Sequence, residues 1–272
     1  MLRVRIVWAA LIVLLLFGVS GCGSKEAPEP GVEPLLAPPV IGEAGVLRVG
    51  IDLRHPPFGG LDDGREAGLD VDVASAIAGE LGLELEIVEV DSAGAAAAFE
   101  AGTVDAVMSV PLDEQVVLDM SFAGFYATTG PALFASAEET VTPARLGTLR
   151  VAVQEGSAAY WEFVYDYGED RVTAFPTLRE AFEAVSAGEA DVVAGDAFTC
   201  SYIARDFEGI VFHSQFAAPA QIGIAVPLDA KELSTALRGV LDGLATGGVL
   251  DTIRAKWVGD LPELEATHEE DA

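Results

Sequence analysis

Hydrophobic positions along the chain alternate between two periods. Leu47-Arg48-Val49-Gly50-Ile51 reads as a short strand and Asp62-Asp63-Gly64 as a turn. Val73, Ile77 and Leu81 recur every four residues on an Ala-rich background, the spacing of an amphipathic helix. Leu83 to Val88 alternates as a strand does, Ala95 to Ala101 is helical, and Val104 to Val110 is a strand again. Strand and helix signals in this order predict an α/β fold on mostly parallel sheets flanked by helices.

The pattern also echoes itself. Leu47-Arg48-Val49-x-Ile51 returns as Leu149-Arg150-Val151-x-Val153, and Ala101-Gly102-x-x-Asp105-x-Val107 as Ala187-Gly188-x-x-Asp191-x-Val193. Both pairs keep the same order, at a strand start and at a helix–Gly–strand junction. Two similar α/β lobes account for this. Open sheets bind ligands beyond the carboxyl ends of their strands, so two facing lobes predict a cleft, and strands crossing between them permit closure.

The flanks are of a different kind. Arg3 and Arg5 precede an apolar run from Ile6 to Phe17, which is short for a membrane span. Val19-Ser20-Gly21-Cys22 follows and resembles a bacterial lipobox. That resemblance implies a signal peptide over 1–21 and a lipid on the Cys22 thiol. The expected location is therefore outside the cytoplasm, anchored to a bacterial membrane. Residues 22–43 hold Pro28, Pro30, Pro34, Pro38 and Pro39 and read as a semi-extended tether. Residues 261–272 read as an acidic, disordered tail.

Charge narrows the partners. The chain carries 15 basic and 44 acidic residues, a net charge of −29. The leader takes two basic residues and no acidic one with it, leaving −31. Such a surface repels nucleic acid and anionic headgroups. With Cys22 given to lipid, Cys200 stands alone and is expected to be a small buried residue. His55, His213 and His268 are scattered, none at metal-ligand spacing. Neither a phosphate loop nor a nucleophile elbow is present. No metal, cofactor or catalytic residue is expected.

From Leu47 to about Gly259 the chain resembles the family 3 extracellular solute-binding proteins, receptors of polar amino-acid ABC importers. The resemblance is carried by Leu47-Arg48-Val49-Gly50-Ile51-Asp52, His55-Pro56-Pro57-Phe58, Gly68-Leu69-Asp70-Val71-Asp72-Val73-Ala74, Gly102-Thr103-Val104-Asp105-Ala106-Val107, Val151-Ala152-Val153-Gln154-Glu155-Gly156-Ser157, Ala190 to Asp196, and Gly248 to Trp257. It implies a two-lobed, periplasmic-binding-protein-like type II fold with a cleft between the lobes. Lobe 1 would comprise 44–127 plus 222–260 and lobe 2 128–221, with crossings near Tyr126–Gly130 and Gln221–Ala225. It further implies a small-molecule solute, an ABC permease as partner, and a monomer.

For the site, the resemblance places a ligand ammonium on Asp196 and a ligand carboxylate at the helix start after Gly156-Ser157. A helix N-terminus favours an anion, and a carboxylate forms a charge-assisted hydrogen bond to an ammonium. Asp52, His55, Phe58 and Ser109 complete the expected lining. Asp70 and Asp72 are expected to cap or solvate the helix that follows them. The lobe-1 arginine that clamps a carboxylate in the family is missing: Ser109-Val110-Pro111-Leu112-Asp113-Glu114-Gln115-Val116 has no basic residue, and Gln115 stands near its place. The family's aromatic is replaced by Ser92, and its usual tyrosine by His55.

The leading expectation is a receptor that captures an amino-acid-like solute or an amine by lobe closure. Ser109-Val110-Pro111 also resembles a branch associated with quinoprotein alcohol dehydrogenases, which would make the chain a non-transport accessory protein. The fold also hosts dehydratases, for which Glu155 and His55 are the candidate groups. The crowded aromatics Tyr160, Trp161, Phe163, Tyr165 and Tyr167 are expected to pack a helix onto lobe 2, and Trp257 to lie in the core.

Overall fold

The computed structural model describes residues 33–112 and 120–265. The leader, Cys22 and Gln115 lie outside the described residues. Two five-stranded sheets organise the rest. The first has the order β4 (Glu84–Glu89), β1 (Val46–Ile51), β5 (Ala106–Pro111), β12 (Ala220–Pro227), β6 (Met120–Thr129). The second has the order β9 (Val172–Phe175), β8 (Val151–Gln154), β10 (Val192–Asp196), β7 (Pro131–Ser136), β11 (Ile210–Gln215). A small hairpin, β2 (Gly60–Asp62) and β3 (Arg65–Ala67), turns at Asp63 and Gly64 with φ of 49° and 76°. Two left-handed residues are what a two-residue hairpin turn with the native strand twist requires.

Both sheets have the same plan, and it corrects the expectation of mostly parallel pairing. The first three strands of each are parallel neighbours: β4–β1–β5 and β9–β8–β10. The other two join by antiparallel pairing: β12 with β5 and β6 in the first sheet, β7 with β10 and β11 in the second. The reason is the path of the chain. It leaves the first sheet on β6 and enters the second on β7 after Gly130, then returns from β11 to β12. A strand reached by such a crossing is not linked through a covering helix to the strand before it, so it is not held to the parallel direction.

Each sheet is covered on both faces. Helices α1 (Leu69–Glu80), α7 (Lys231–Thr246) and α8 (Val249–Val258) lie with the first, and α2 (Ala95–Glu100) covers its other side. Helix α7 buries Leu233, Leu237, Leu241 and Leu244, one stripe at helical spacing. With the second sheet lie α4 (Ala158–Tyr167), α5 (Leu178–Ser186) and α6 (Ala197–Ala204); a short α3 (Pro143–Leu146) precedes β8. Thr177 and Glu180 close a reciprocal capping box at the start of α5. No helix among the described residues is long and apolar enough to cross a membrane.

The sequence echo has a structural cause. In the first sheet the Arg48 guanidinium binds Asp105 (Nη2–Oδ1, 2.8 Å), Asp105 also accepts the Arg48 N–H, and Arg48 Nη1 donates to the Gly102 carbonyl at the preceding helix end. In the second sheet Arg150 binds Asp191 (2.6 Å), Asp191 accepts the Arg150 N–H, and Arg150 donates to the Gly188 carbonyl. Each clasp joins the start of the central parallel strand to the helix–Gly–strand turn beside it. The two differ in exposure. Arg48 and Asp105 side chains are 17% and 5% accessible, Arg150 and Asp191 51% and 23%.

Three expectations are corrected by packing. Leu36 and Ile41, inside the supposed tether, are buried, and the Leu35 N–H donates to the Leu81 carbonyl (2.9 Å). Leu261 and Leu264, inside the supposed disordered tail, are also buried, and Arg254 donates to the Pro262 carbonyl (3.0 Å). In both stretches isolated leucines and isoleucines find the core although no periodicity announces them. On α4 only Phe163 and Ala159 are buried, while Trp161 and Tyr165 are exposed, so that helix does not pack all its aromatics. Trp257 is half-buried, with Nε1 donating to Asp72 (2.7 Å).

Removing the buried clasp should therefore cost more than removing the exposed one. Asp105→Ala is expected to lower the unfolding free energy by about 3 kcal/mol, because it leaves the Arg48 charge and the Gly42 N–H without their partner. Asp191→Ala is expected to cost about 1 kcal/mol, since solvent replaces much of that pair. Urea unfolding of the two variants checks this; equal losses would refute the burial argument.

Candidate functional site

The turn at 55–59 and the start of α1 are stitched together by backbone hydrogen bonds. The Leu69 N–H donates to the Pro57 carbonyl (2.8 Å) and the Asp70 N–H to the Phe58 carbonyl (2.9 Å). Gly68 makes this possible. Its φ is 152°, and a Cβ there would sit 2.1 Å from the Phe58 carbonyl oxygen. The stitch brings His55, Phe58 and Asp70 to one wall. The Phe58 ring stacks on Phe198 of α6 (centroids 5.7 Å apart, interplanar angle 9°), so it joins the two lobes while lining the space beside them.

Two cavities open here, of about 340 and 320 Å³, and they share His55 and Asp196. The first is lined from the second sheet by Gln154, Ser157, Leu178 and Thr199. The second is lined mainly from the first sheet by Asp52, Phe58, Asp70, Asp91, Ser92, Met108, Ser109 and Pro111. They are the two halves of one interlobe cleft, with Asp196 at their junction. Asp52, His55, Phe58, Ser109, Ser157 and Asp196 are all brought to it, as lining residues. Gly156 shapes the turn before Ser157 without lining either cavity. Gln115 lies outside the described residues.

Asp196 caps α6. Its Oδ1 accepts the Thr199 N–H (3.0 Å) and hydroxyl (3.2 Å), and its Oδ2 accepts the Thr129 hydroxyl (2.6 Å). A cap and a cleft-facing carboxylate are thus the same residue. Ser157 likewise caps α4 by accepting the Tyr160 N–H (3.1 Å). Asp52 and Asp91 both meet Arg54, at 3.0 and 3.2 Å. Burial pushes the Asp52 carboxyl up, but its hydrogen bonds from Arg54 outweigh that and hold it below the ordinary value.

Asp70 does not behave as a helix cap or a solvated side chain, which corrects the expectation for it. Gly68 is the N-cap of α1, and Asp70 is 1% exposed. Its Oδ2 accepts the Ser109 hydroxyl (2.6 Å) and its Oδ1 the Tyr126 hydroxyl (2.6 Å). The Ser109 N–H donates in turn to Tyr126 Oη (2.8 Å), with Ser109 held at a φ of 53°, a left-handed conformation uncommon for a residue with a side chain. Burial raises the Asp70 carboxyl to about 6, against the opposing pull of the two hydroxyls and of His55. The Tyr126 phenol is pushed up by its own burial and by the Asp70 charge. Asp72, two residues further, accepts Lys256 Nζ (2.6 Å) and the Trp257 indole, a surface tie to α8.

Tyr126 and Thr129 were not legible as site residues. Both stand on β6 just before the crossing, where each hydroxyl grips one cleft carboxylate. The signal available in sequence was slight: they are polar positions in a strand otherwise dominated by Phe, Ala and Gly. Cys200 is fully buried, with its thiol pushed up by desolvation and by Asp196, the state of an inert core residue.

The raised carboxyl makes a stability prediction. A folded pKa above the unfolded value gives stability that is complete below about 3.8 and is lost as pH rises through about 6. For this ligand-free carboxyl the loss is on the order of 3 kcal/mol. Asp70→Asn should therefore be more stable than the parent at pH 7.5 and nearly equal to it near pH 4. Thermal unfolding of both across that range tests this; a difference independent of pH would show that Asp70 is not desolvated.

Comparison with known proteins returns a family match over most of the chain. The model for bacterial extracellular solute-binding proteins, family 3, matches residues 47–260. The chain is 28% identical over 249 residues to the Arginine-binding protein ArgT of Corynebacterium glutamicum, covering 85% of this chain and 79% of that one. It is 26% identical over 238 residues to the L-arginine-binding protein of Pseudomonas aeruginosa, covering 82% and 92%. Among solved structures, an Ancestral Cationic Amino Acid Solute Binding Protein superimposes with a TM-score of 0.71 at 26% identity, over 79% of this chain and 96% of that one.

Proposed function

The chain belongs to the bacterial extracellular solute-binding proteins of family 3, and from that membership we propose that it is a lipid-anchored receptor of an ABC importer that captures a small cationic solute, amino-acid-like or amine, by lobe closure. In this reading lobe 1 is 44–127 plus 222–260, lobe 2 is 128–221, Cys22 carries the lipid, and an ABC permease receives the solute. The ligand is held by Asp52, His55, Phe58, Ser109, Gln115, Ser157 and Asp196, with Gly156 shaping the turn that presents Ser157.

One observation carries the choice of ligand: among the described residues the cleft is lined by carboxylates and by no lysine or arginine. Its lobe-1 wall is also poor in donors toward an anion. The Ser109 N–H is taken by Tyr126, Pro111 has none, and the Leu112 N–H goes to the Gln221 carbonyl (2.9 Å). Helix starts, which favour an anion, face the cleft at Ser157, Asp196 and Asp70, but the last two already carry a carboxylate, and Ser157 is a neutral cap. An ammonium or guanidinium group fits that balance, and the arginine-binding relatives agree with it.

Binding requires no chemistry, and the dehydratase alternative draws little support. Glu155, its candidate acid, is exposed and lines neither cavity. The reading is tested at Asp196. Asp196→Ala is expected to weaken the binding of a cationic solute by roughly 2–5 kcal/mol, as when one member of a desolvated charge pair is removed. Calorimetry on the full chain measures it, and unchanged affinity would reject Asp196 as the anchor.

A further inference from the structure

Among the described residues four carboxylates face the cleft, and they are not equivalent. Asp52 and Asp91 share the guanidinium of Arg54. Asp70 and Asp196 meet only hydroxyls and one backbone N–H among the described residues. The undescribed segment 113–119, which follows the strand bearing Ser109, contributes no positive charge by its sequence, Asp-Glu-Gln-Val-Val-Leu-Asp. On α8, packed against α1, Lys256 is bound to Asp72. Among the described residues neither of these two carboxylates forms an ion pair, and Asp70, with only the charge of His55 acting on it, is almost wholly withdrawn from water.

We propose that Asp70 is a second cation subsite, opposite Asp196, and that the solute is a small organic dication whose two charged groups are held one by each carboxylate. The proposal rests on the receptor reading and names the residue that sets its specificity. An ionised carboxylate offers about four lone-pair positions, and Asp70 gives one from each oxygen to Ser109 and Tyr126. Two positions remain, and Asp70 lines the 320 Å³ half of the cleft. A buried carboxylate held by donors but lacking a countercharge is costly, and a cation placed beside it removes that cost. A guanidino-ammonium compound or an aliphatic diamine has the two charges the site lacks.

Capture is then linked to protons. The groups facing Asp70 are Asp52 and His55 after β1, Asp91 after β4, Ser109 on β5, Tyr126 on β6, and Asp196 from the second sheet. The dication binds the ionised form, so affinity falls as pH drops through about 6. Both hydroxyls favour that ionised form. Removing the Tyr126 hydroxyl therefore moves the midpoint to higher pH.

Titration calorimetry on the full chain in detergent tests the subsite with matched probes: agmatine and 1,4-diaminobutane against butylamine, and L-arginine against L-citrulline. The parent protein is expected to prefer the member with the extra cation in each comparison. Asp70→Asn should weaken the more cationic probes by at least about 30-fold and leave the others nearly unchanged. Tyr126→Phe, which keeps the ring, should bind agmatine with its pH midpoint shifted upward, and His55→Gln should shift it upward by less. Equal parent affinity for both members of each comparison overturns the subsite and leaves the receptor standing. Undiminished dication binding by Asp70→Asn, or a pH midpoint that disappears with His55 and ignores Tyr126, also overturns it. A parent protein that binds none of the probes overturns the cationic-solute reading and the subsite together.

Discussion

Taking a carboxylate out of water costs several kcal/mol unless charge or hydrogen bonds replace what water supplied. Asp70 imposes that requirement on the centre of this molecule, and much of the local structure follows from meeting it. Ser109 adopts a left-handed backbone so that its hydroxyl reaches Asp70 while its N–H reaches Tyr126. Tyr126 is placed on β6 so that its phenol can complete the triangle. Gly68 admits the Phe58 carbonyl at a distance no side chain would allow, which fixes where α1 begins and hence where Asp70 points.

The fold was legible because its signals are local and repeated. The echo of Leu-Arg-Val and of Gly-x-x-Asp marks two Arg–Asp clasps, each tying a central strand to the turn beside it. The same plan in two places needs the same residue types at the same spacing, and a single chain displays that without an alignment. Strand direction was less legible. Apolar runs look alike whether a strand pairs parallel or antiparallel, and the antiparallel half of each sheet is set by the path of the crossings. The buried ends were missed for a related reason: Leu36, Ile41, Leu261 and Leu264 pack singly, without the periodicity that exposes a helix or strand.

The site was legible where the chemistry sits on a motif and opaque where it depends on pairing across the fold. Asp196 and Ser157 follow strands and start helices, positions that sequence marks. Asp70 also starts a helix, and the ordinary inference for an acidic residue in a first turn is favourable interaction with the dipole. Its burial is decided by Ser109 and Tyr126, 39 and 56 residues away. Nothing near Asp70 in the chain distinguishes it from Asp72, which lies two residues on and is tied at the surface to Lys256 and Trp257.

The crossing strand connects these observations to closure. Tyr126 and Thr129, three residues apart on β6, grip Asp70 in one lobe and Asp196 beside the other. Immediately beyond them Gly130 lies so close to Pro219 on the returning path that a Cβ would come within 2.7 Å of its backbone. The two crossings are therefore packed against one another, and relative motion of the lobes acts directly on the spacing of the two carboxylates. With the cleft empty, bringing two like charges together opposes closure, and desolvation adds to the cost. A cation between them reverses the sign of the same electrostatic contribution. A ligand shifts a conformational equilibrium only through its differential affinity for the two states. Carboxylates that form no ion pair among the described residues stand on both walls and supply that difference, and Arg54, which compensates only the rim, leaves it intact.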